Sequence, residues 1–147
     1  MTNTGSLDPV TLEGACHCGK VKFRASLNHG LGSARRCTCS YCAMRGAVVV
    51  SSRVEGLAII QGESDLGEYS FNTGTAKHYF CRNCGIYTFH QRRSNPDEYG
   101  VNVACLAGLS PFDFSEVPVL DGQNHPRDRE DGQTLRVGTL RFIRNGH

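Results

Sequence analysis

The spacing of the cysteines constrains this chain more than any other feature. Eight cysteines occur among 147 residues, and they are clustered rather than dispersed, at positions 16, 18, 37, 39, 42, 81, 84 and 105. A disulfide between neighbours such as Cys16 and Cys18 would strain the backbone. The polar segment Met1–Gly14 has no apolar stretch of the kind that forms a secretory signal. We therefore expect a cytoplasmic protein whose cysteines bind metal rather than form disulfides.

Composition and charge narrow the class of protein further. Hydrophobic residues make up 39% and charged residues 20% of the chain, as in an ordinary soluble domain. The formal net charge of +2 gives no electrostatic reason to expect a nucleic-acid partner. No segment approaches the roughly 20 apolar residues that cross a bilayer, so no membrane association is expected.

Two cysteine pairs have the form of metal-binding knuckles. They are Cys16-His17-Cys18-Gly19 and Cys81-Arg82-Asn83-Cys84-Gly85, and in each a glycine follows the second cysteine. Glycine at that position allows a turn with positive φ, which brings backbone N–H groups toward the sulfurs. Four sulfurs complete a tetrahedron around Zn²⁺, so the pairs predict one closed structural site. Iron–sulfur ligation and a set of inert buried thiols are the alternatives, and the glycine knuckles favour zinc.

A third motif, Cys37-Thr38-Cys39-Ser40-Tyr41-Cys42, supplies three sulfurs within a short segment. Three protein ligands leave one position of a tetrahedral metal for water or substrate, which is the pattern of catalytic zinc. Two alternatives would close the site instead. One is Cys105, whose apolar surroundings are more typical of a packed core thiol. The other is a histidine, with His17, His78 and His90 as the candidates.

The charge of a three-cysteine site indicates its chemistry. Three thiolates leave the zinc site with a net negative charge, so the metal is a poorer Lewis acid than zinc held by neutral histidines. A further thiolate binds well to this soft metal and stays nucleophilic. We therefore expect an external thiol as substrate and a carbon–sulfur bond as the bond made or broken.

The hydrophobic pattern predicts a mostly β fold. Val21, Phe23 and Ala25 alternate with Lys22 and Arg24, which is the period of a half-buried strand. Further strands are predicted at Gly46–Ser52, Leu57–Gln61, Gly67–Phe71, His78–Cys81, Ile86–His90, Tyr99–Leu106 and Leu135–Ile143. Two short helical turns are predicted, at Ser40–Arg45 and Ser110–Phe114.

These motifs resemble those of a known family. Gly14-Ala15-Cys16-His17-Cys18-Gly19-Lys20-Val21, the three-cysteine motif with Arg45-Gly46-Ala47, and Phe80-Cys81-Arg82-Asn83-Cys84-Gly85 are similar to the glutathione-dependent formaldehyde-activating enzyme family, which includes the centromere protein V domain. The resemblance covers Gly14 to His125. It implies an all-β fold of small antiparallel sheets, a β-tent, with few short helical turns and two zinc ions.

The resemblance also implies site residues and an activity. By position, Cys16, Cys18, Cys81 and Cys84 would hold a structural zinc, and Cys37, Cys39 and Cys42 a catalytic one. The implied enzyme is a carbon–sulfur lyase that joins glutathione to formaldehyde, giving S-(hydroxymethyl)glutathione, so its partners are a small thiol and an aldehyde. The resemblance implies a zinc domain at 14–125. The sequence itself predicts a flexible N-terminus at 1–13 and an extension at 126–147, in which Leu135–Ile143 gives one further strand.

Basic residues near the motifs are candidates to bind the two carboxylates of glutathione. They are Arg35, Arg36, Arg45, Lys77, Arg92 and Arg93, any one of which is more often an ordinary surface charge. Two other functions fit the cysteines. A non-catalytic zinc module for protein or nucleic-acid binding requires a fourth protein ligand at the three-cysteine motif. A thiol-based redox or metal-buffering protein would use exposed cysteines.

Overall fold

Small β-sheets form most of the structure. The fold is that of a computed structural model, which describes residues 4–71, 74–93, 95–123 and 135–146. The strands are β1 (Val10–Ala15), β2 (Lys22–Leu27), β3 (Arg36–Cys37), β4 (Val49–Arg53), β5 (Leu57–Gln61), β6 (Leu66–Tyr69), β7 (Lys77–Cys81), β8 (Tyr87–Gln91), β9 (Glu98–Asn102), β10 (Glu116–Leu120) and β11 (Arg136–Arg141). The described residues also contain one α-helix, α1 (Ser40–Arg45). Short 3-10 turns lie at Gly30–Ser33, Val54–Gly56, Glu63–Asp65, Val103–Cys105 and Pro111–Asp113.

The strands form three sheets. One has the order β4-β9-β8-β7-β6, and the other two have the orders β1-β2-β5 and β11-β10-β3. Neighbouring strands are antiparallel except β3 and β10, which pair in parallel over two residues. The predicted class, all-β with small antiparallel sheets and few helical turns, is therefore confirmed.

The core lies between the five-stranded sheet and the β1-β2-β5 sheet. Phe23, Ala25 and Leu27 of β2 are fully buried and alternate with exposed residues, as the period of a strand requires. The ring of Phe23 meets that of Phe89 in β8 edge to face, with ring centroids 5.6 Å apart. Gly14 pairs with Phe23 across β1 and β2, and a Cβ at Gly14 would overlap the Phe23 ring. This packing holds the β1–β2 hairpin against the sheet that contains the β7–β8 hairpin.

Some segments differ from the prediction. β1 begins at Val10, inside the segment 1–13 that the sequence predicts to be flexible, because all six of its residues pair with β2. The strand predicted at Tyr99–Leu106 ends at Asn102, whose side chain accepts a hydrogen bond from the Ala104 amide and caps a 3-10 turn. β3 and β10 are absent from the prediction, and β3 is too short to show any periodicity.

The C-terminal strand β11 lies within the segment Leu135–Ile143 that the pattern predicts to be a strand. It forms one edge of the β11-β10-β3 sheet. The predicted boundary between residues 125 and 126 falls outside the described residues. No helix in the described segments is both long and apolar enough to cross a membrane.

Candidate metal centres

The structure brings together the four cysteines of the two predicted knuckles. The sulfurs of Cys16, Cys18, Cys81 and Cys84, which we call the first cluster, all lie within 4.8 Å of one another. The Cys16 and Cys18 sulfurs are 3.6 Å apart, and the Cys18 and Cys81 sulfurs are 3.7 Å apart. A tetrahedron with zinc–sulfur bonds of about 2.3 Å has sulfur–sulfur edges of about 3.8 Å. The first cluster therefore has the donor set and the size of a four-cysteine zinc site.

The first knuckle connects β1 to β2. The Cys16 amide donates to the Val21 carbonyl over 3.1 Å, and the Val21 amide donates to the Cys16 sulfur over 3.3 Å. Gly19 has φ 80°, a left-handed conformation that glycine adopts without strain. The turn thus directs a backbone donor at a ligand sulfur, as the sequence predicts, and such a donor stabilises a metal-bound thiolate.

The second knuckle connects β7 to β8 in the same way. The Cys81 amide donates to the Ile86 carbonyl over 3.0 Å, and Gly85 also has φ 80°. The Asn83 amide donates to the Cys81 sulfur over 3.4 Å. Since the two knuckles belong to different sheets, a metal at the first cluster would join the β1-β2-β5 sheet to the five-stranded sheet.

The eighth cysteine, Cys105, lies apart from both groups. It is buried in a 3-10 turn after β9, and its thiol donates to the Tyr87 carbonyl over 3.4 Å. Burial, together with smaller effects of the charges on Cys16 and Cys84, raises the pKa of the Cys105 thiol to about 12. Its neighbours are thus residues of the first cluster, and its sulfur does not join the three sulfurs of the third motif. Cys105 is a packed thiol in this structure.

The third motif folds into a compact group of three sulfurs, which we call the second cluster. The sulfurs of Cys37, Cys39 and Cys42 lie within 4.8 Å of one another. Cys37 ends β3, Cys39 is the N-cap of α1, and Cys42 lies in the first turn of that helix. The Cys39 sulfur accepts a hydrogen bond from the Cys42 amide over 3.2 Å, and the Cys37 sulfur accepts one from the Cys39 amide over 3.4 Å. Backbone N–H groups at the start of α1 therefore donate to two of the three sulfurs.

The three sulfurs of the second cluster cannot behave as independent thiols. Hydrogen bonds from Cys37 and Cys42 lower the pKa of Cys39 to about 2. Contacts with Cys37 and Cys39 raise the pKa of Cys42, and the contact with Cys39 raises that of Cys37. A divalent cation bound by the three sulfurs would displace the thiol protons that remain and leave three thiolate ligands. The donor set therefore fits a soft cation such as Zn²⁺.

A glycine that follows β10 lies directly against this cluster. The Thr38 amide donates to the Leu120 carbonyl over 3.1 Å, and the Gly122 amide donates to the Thr38 hydroxyl over 3.0 Å. A Cβ at Gly122 would overlap the Cys37 sulfur and lie 2.7 Å from the Cys39 amide nitrogen. Sequence reasoning missed Gly122, because its Asp-Gly-Gln context is typical of an ordinary loop.

Arg45 contacts the second cluster directly. Its Nη2 donates to the Cys42 sulfur over 3.3 Å, and its Nη1 donates to His78 Nδ1 over 2.9 Å. The guanidinium carbon lies 3.7 Å from the centre of the Tyr87 ring. Within the described residues, Arg45 is thus the one of the six basic candidates that donates a hydrogen bond to a cluster sulfur.

The other basic candidates are placed elsewhere. Arg35 donates to the Ser51 hydroxyl over 2.8 Å, and Arg36 donates to the Gly46 carbonyl over 2.6 Å. Arg92 forms a half-buried ion pair with Glu98 over 2.6 Å. The remaining two, Lys77 and Arg93, lie on β7 and just after β8.

The three histidines do not join either cluster. His17 is exposed, and within the described residues no histidine nitrogen lies within 4.8 Å of all three sulfurs of the second cluster. His78 and His90 instead face each other across β7 and β8 with stacked rings 5.1 Å apart. Burial lowers the pKa of His78 to about 4 and that of His90 well below its usual range, so both rings are neutral at pH 7.

A groove of about 870 Å³ runs beside α1 and extends to Gly85 of the second knuckle. Tyr41, Met44 and Arg45 line it on the helix side, and Ile86 and Tyr87 line it on the side of the five-stranded sheet. Its volume lies in the range of small-molecule sites, and its lining is largely apolar and aromatic with few polar groups. The groove is the candidate substrate site.

Comparison with known proteins agrees with these features. The sequence profile of the family described as glutathione-dependent formaldehyde-activating enzyme matches residues 11–116, which contain both clusters. This chain belongs to that family. A solved structure of a Rhodobacter sphaeroides protein is similar to it, with 54% sequence identity and a TM-score of 0.72. The similarity covers 74% of this chain and 99% of that chain.

Membership in the glutathione-dependent formaldehyde-activating enzyme family makes an activity toward formaldehyde the expected one. The two cysteine clusters are compatible with the zinc ions that the resemblance implies. Part of the second centre lies beyond the family match, because most of β10 and all of Gly122 follow residue 116.

Proposed function

We propose that this protein is a zinc-dependent carbon–sulfur lyase that joins a thiol, glutathione or a similar one, to formaldehyde or a related small aldehyde. The second cluster would hold the catalytic zinc, and the first cluster would hold the structural zinc. One observation carries the proposal. The second cluster presents three sulfurs and, among the described residues, no fourth cysteine, histidine or carboxylate within 4.8 Å of them all.

The reaction needs a thiolate in reach of an aldehyde carbonyl. A zinc ion at the second cluster would supply this by holding the incoming thiol as its thiolate. In the net reaction a sulfur–carbon bond forms, the carbonyl π bond breaks, and the thiol proton ends on the former carbonyl oxygen. The protein side chains therefore need only bind the thiol, orient the aldehyde and stabilise the carbonyl oxygen until it receives the thiol proton.

The groove supplies the binding surface for the thiol. Tyr41 and Arg45 of the helix that carries Cys42 line the groove. Arg45 also donates to the Cys42 sulfur, so a molecule in the groove would lie beside a side chain that contacts the second cluster. Met44 and Tyr69 are exposed apolar groups of the same groove, which a bound substrate would cover.

His78 is the candidate to hydrogen-bond the aldehyde oxygen. Because an arginine only donates, its contact with Nδ1 leaves the proton of the neutral His78 ring on Nε2. The centre of the His78 ring lies 4.5 Å from that of the Tyr41 ring, and Tyr41 lies between Cys39 and Cys42 in the sequence. A neutral N–H donor at this position would stabilise the negative charge that develops on the oxygen.

We further propose a cytoplasmic location and a zinc domain over residues 14–125 with an extension over 126–147. The support for the location is chemical, because seven ligand thiols must stay reduced to bind zinc. The proposed partners are small molecules, since the groove has the volume of a small-molecule site.

The experiment compares two cysteine variants for zinc content and for adduct formation. Exchange NMR with ¹³C-formaldehyde and glutathione measures how much the protein accelerates the appearance of the hydroxymethyl thioether over the spontaneous reaction. We expect two zinc ions and acceleration in the wild type, and one zinc ion without acceleration in Cys39→Ser. The matched control Cys105→Ala should keep two zinc ions and the wild-type rate. Full acceleration by Cys39→Ser would contradict the proposal.

A further inference from the structure

Three contacts hold the guanidinium of Arg45 in one place. The Cys42 sulfur and His78 Nδ1 accept hydrogen bonds from separate nitrogens, at 3.3 Å and 2.9 Å. The Tyr87 ring covers one face of the group, with the guanidinium carbon 3.7 Å from its centre. A planar cation that is bound at two edges and one face has little rotational freedom left.

The ring beneath Arg45 is itself fixed. The Tyr87 hydroxyl lies 2.6 Å from His90 Nδ1 and donates to the Gly100 carbonyl over 3.0 Å. Tyr87 is buried, and Gly100 leaves no room for a Cβ because one would overlap the His90 ring. The position of Arg45 against the sulfur is therefore set by β8 and β9 and not by α1 alone.

The two clusters differ in their surroundings in one respect. In the described part of the chain, backbone N–H groups donate to the first cluster, and no arginine or lysine side chain is hydrogen-bonded to its sulfurs. At the second cluster, Arg45 adds a full positive charge on a ligand sulfur. A charge-assisted hydrogen bond of this kind withdraws electron density from a thiolate and reduces the net negative charge of the site.

We propose that Arg45 is a positioning residue that makes the second cluster able to take up an anionic thiol. Three cysteine thiolates around a divalent cation repel a fourth thiolate, and a fixed guanidinium on Cys42 offsets that repulsion. The inference rests on the proposed function in one respect, that the second cluster binds the metal at which the thiol reacts. It assigns to Arg45 a role in the charge of the site, independent of any contact with the rest of the substrate.

Cobalt-substituted protein tests the inference without measuring turnover. The sulfur-to-cobalt charge-transfer absorption reports the electron density on the ligand sulfurs, and the Cys39→Ser variant gives the spectrum of the first cluster alone for subtraction. The variants are Arg45→Gln, which removes the charge, and Arg45→Lys, which keeps it. Arg82→Gln is the matched control, since Arg82 directly follows the ligand Cys81 and is exposed.

Loss of the Arg45 charge should shift the second-cluster absorption to longer wavelength and leave the first-cluster absorption unchanged. The concentration of glutathione or 2-mercaptoethanol that half-saturates the spectral change should rise by about tenfold in Arg45→Gln, in line with the usual effect of removing a hydrogen-bond partner of a metal ligand. Arg45→Lys should recover part of both effects, and Arg82→Gln should match the wild type.

The outcomes separate the two proposals. A wild type that responds to thiol, with an Arg45→Gln variant that has the same absorption and the same half-saturation, overturns the role of Arg45 and leaves the proposed function standing. A wild type whose second cluster takes up no cobalt, or whose spectrum ignores millimolar thiol, overturns both. Should Arg45→Gln lose the first-cluster absorption and hence the fold, Arg45→Met, which also removes the charge, replaces it in the same comparison with wild type.

Discussion

Gly122 lies so close to Cys37 that a Cβ at the glycine would overlap the cysteine sulfur. The two residues are far apart in sequence and meet because β3 and β10 pair in parallel. The second metal centre is therefore built from two distant segments, although its three cysteines form one short motif.

Gly122→Ala should damage the second centre selectively. The added methyl group has to displace the Cys37 sulfur or the Cys39 backbone, and overpacking of this kind costs about 1–3 kcal/mol. We expect weaker zinc binding at the second cluster with the first cluster intact, measured as zinc per chain during a chelator titration. Gly138→Ala is the control, because Gly138 has open space where its Cβ would be. Equal zinc retention by the two variants would contradict the predicted contact.

Cys81→Ser should prevent stable folding, whereas Cys39→Ser should not. The Cys81 side chain is fully buried between the two sheets, and the first cluster joins both of them. Structural zinc contributes roughly 10–16 kcal/mol in small zinc domains, which exceeds the net stability of most domains. Circular dichroism melts should show a cooperative transition for Cys39→Ser and none for Cys81→Ser. A cooperative, zinc-free Cys81→Ser protein would show that the first cluster is dispensable for the fold.

Phe23→Ala should destabilise the core. Phe23 is fully buried and packs edge to face on Phe89, so its truncation leaves a cavity between the sheets. The expected loss in free energy of unfolding is about 3–5 kcal/mol, measured by urea denaturation of the zinc-loaded protein. Phe112→Ala, at a side chain that is 59% exposed, should change the same quantity by no more than about 0.5 kcal/mol. Similar losses for the two variants would place Phe23 outside the core.

Cys105 should resist alkylation across neutral and mildly alkaline pH. Thiolate is the reactive form, and a folded-state pKa of about 12, raised by burial from 9.0, keeps Cys105 protonated at pH 8. Because the pKa is raised on folding, the neutral thiol favours the folded state below pH 9, and this contribution is lost as the pH rises toward 12. Peptide mass spectrometry after iodoacetamide treatment should find label at Cys105 only in denatured protein. Labelling of the native protein at pH 8 would contradict this.

The sequence predicted the parts of the centres that are local. Both knuckles carry their glycine, and the helix spans the predicted Ser40–Arg45, although its N-cap is Cys39 and not the predicted Ser40. A local motif specifies such turns because the donors and acceptors lie within a few residues of each other. The strand over Leu57–Gln61 was also predicted with its exact bounds.

The remaining features depend on contacts between distant residues. Gly122 and Thr38 are 84 residues apart in sequence, and neither has a pattern that points to the other. Arg45 was one of six basic candidates, and what distinguishes it is a ring and a histidine that β7 and β8 bring to it. Charge and residue type alone do not contain that information, because the register of two sheets determines it.

The first cluster has a consequence for how much of this protein a cell can maintain. Its sulfurs come from chain segments separated by 63 residues, so capture of an ion would help to offset the entropy lost when that long loop is closed. Metal binding raises the free energy of unfolding, and this increase grows with the logarithm of the free zinc concentration. Zinc scarcity would then expose the unfolded apoprotein to proteases, and the abundance of the protein would follow the supply of zinc.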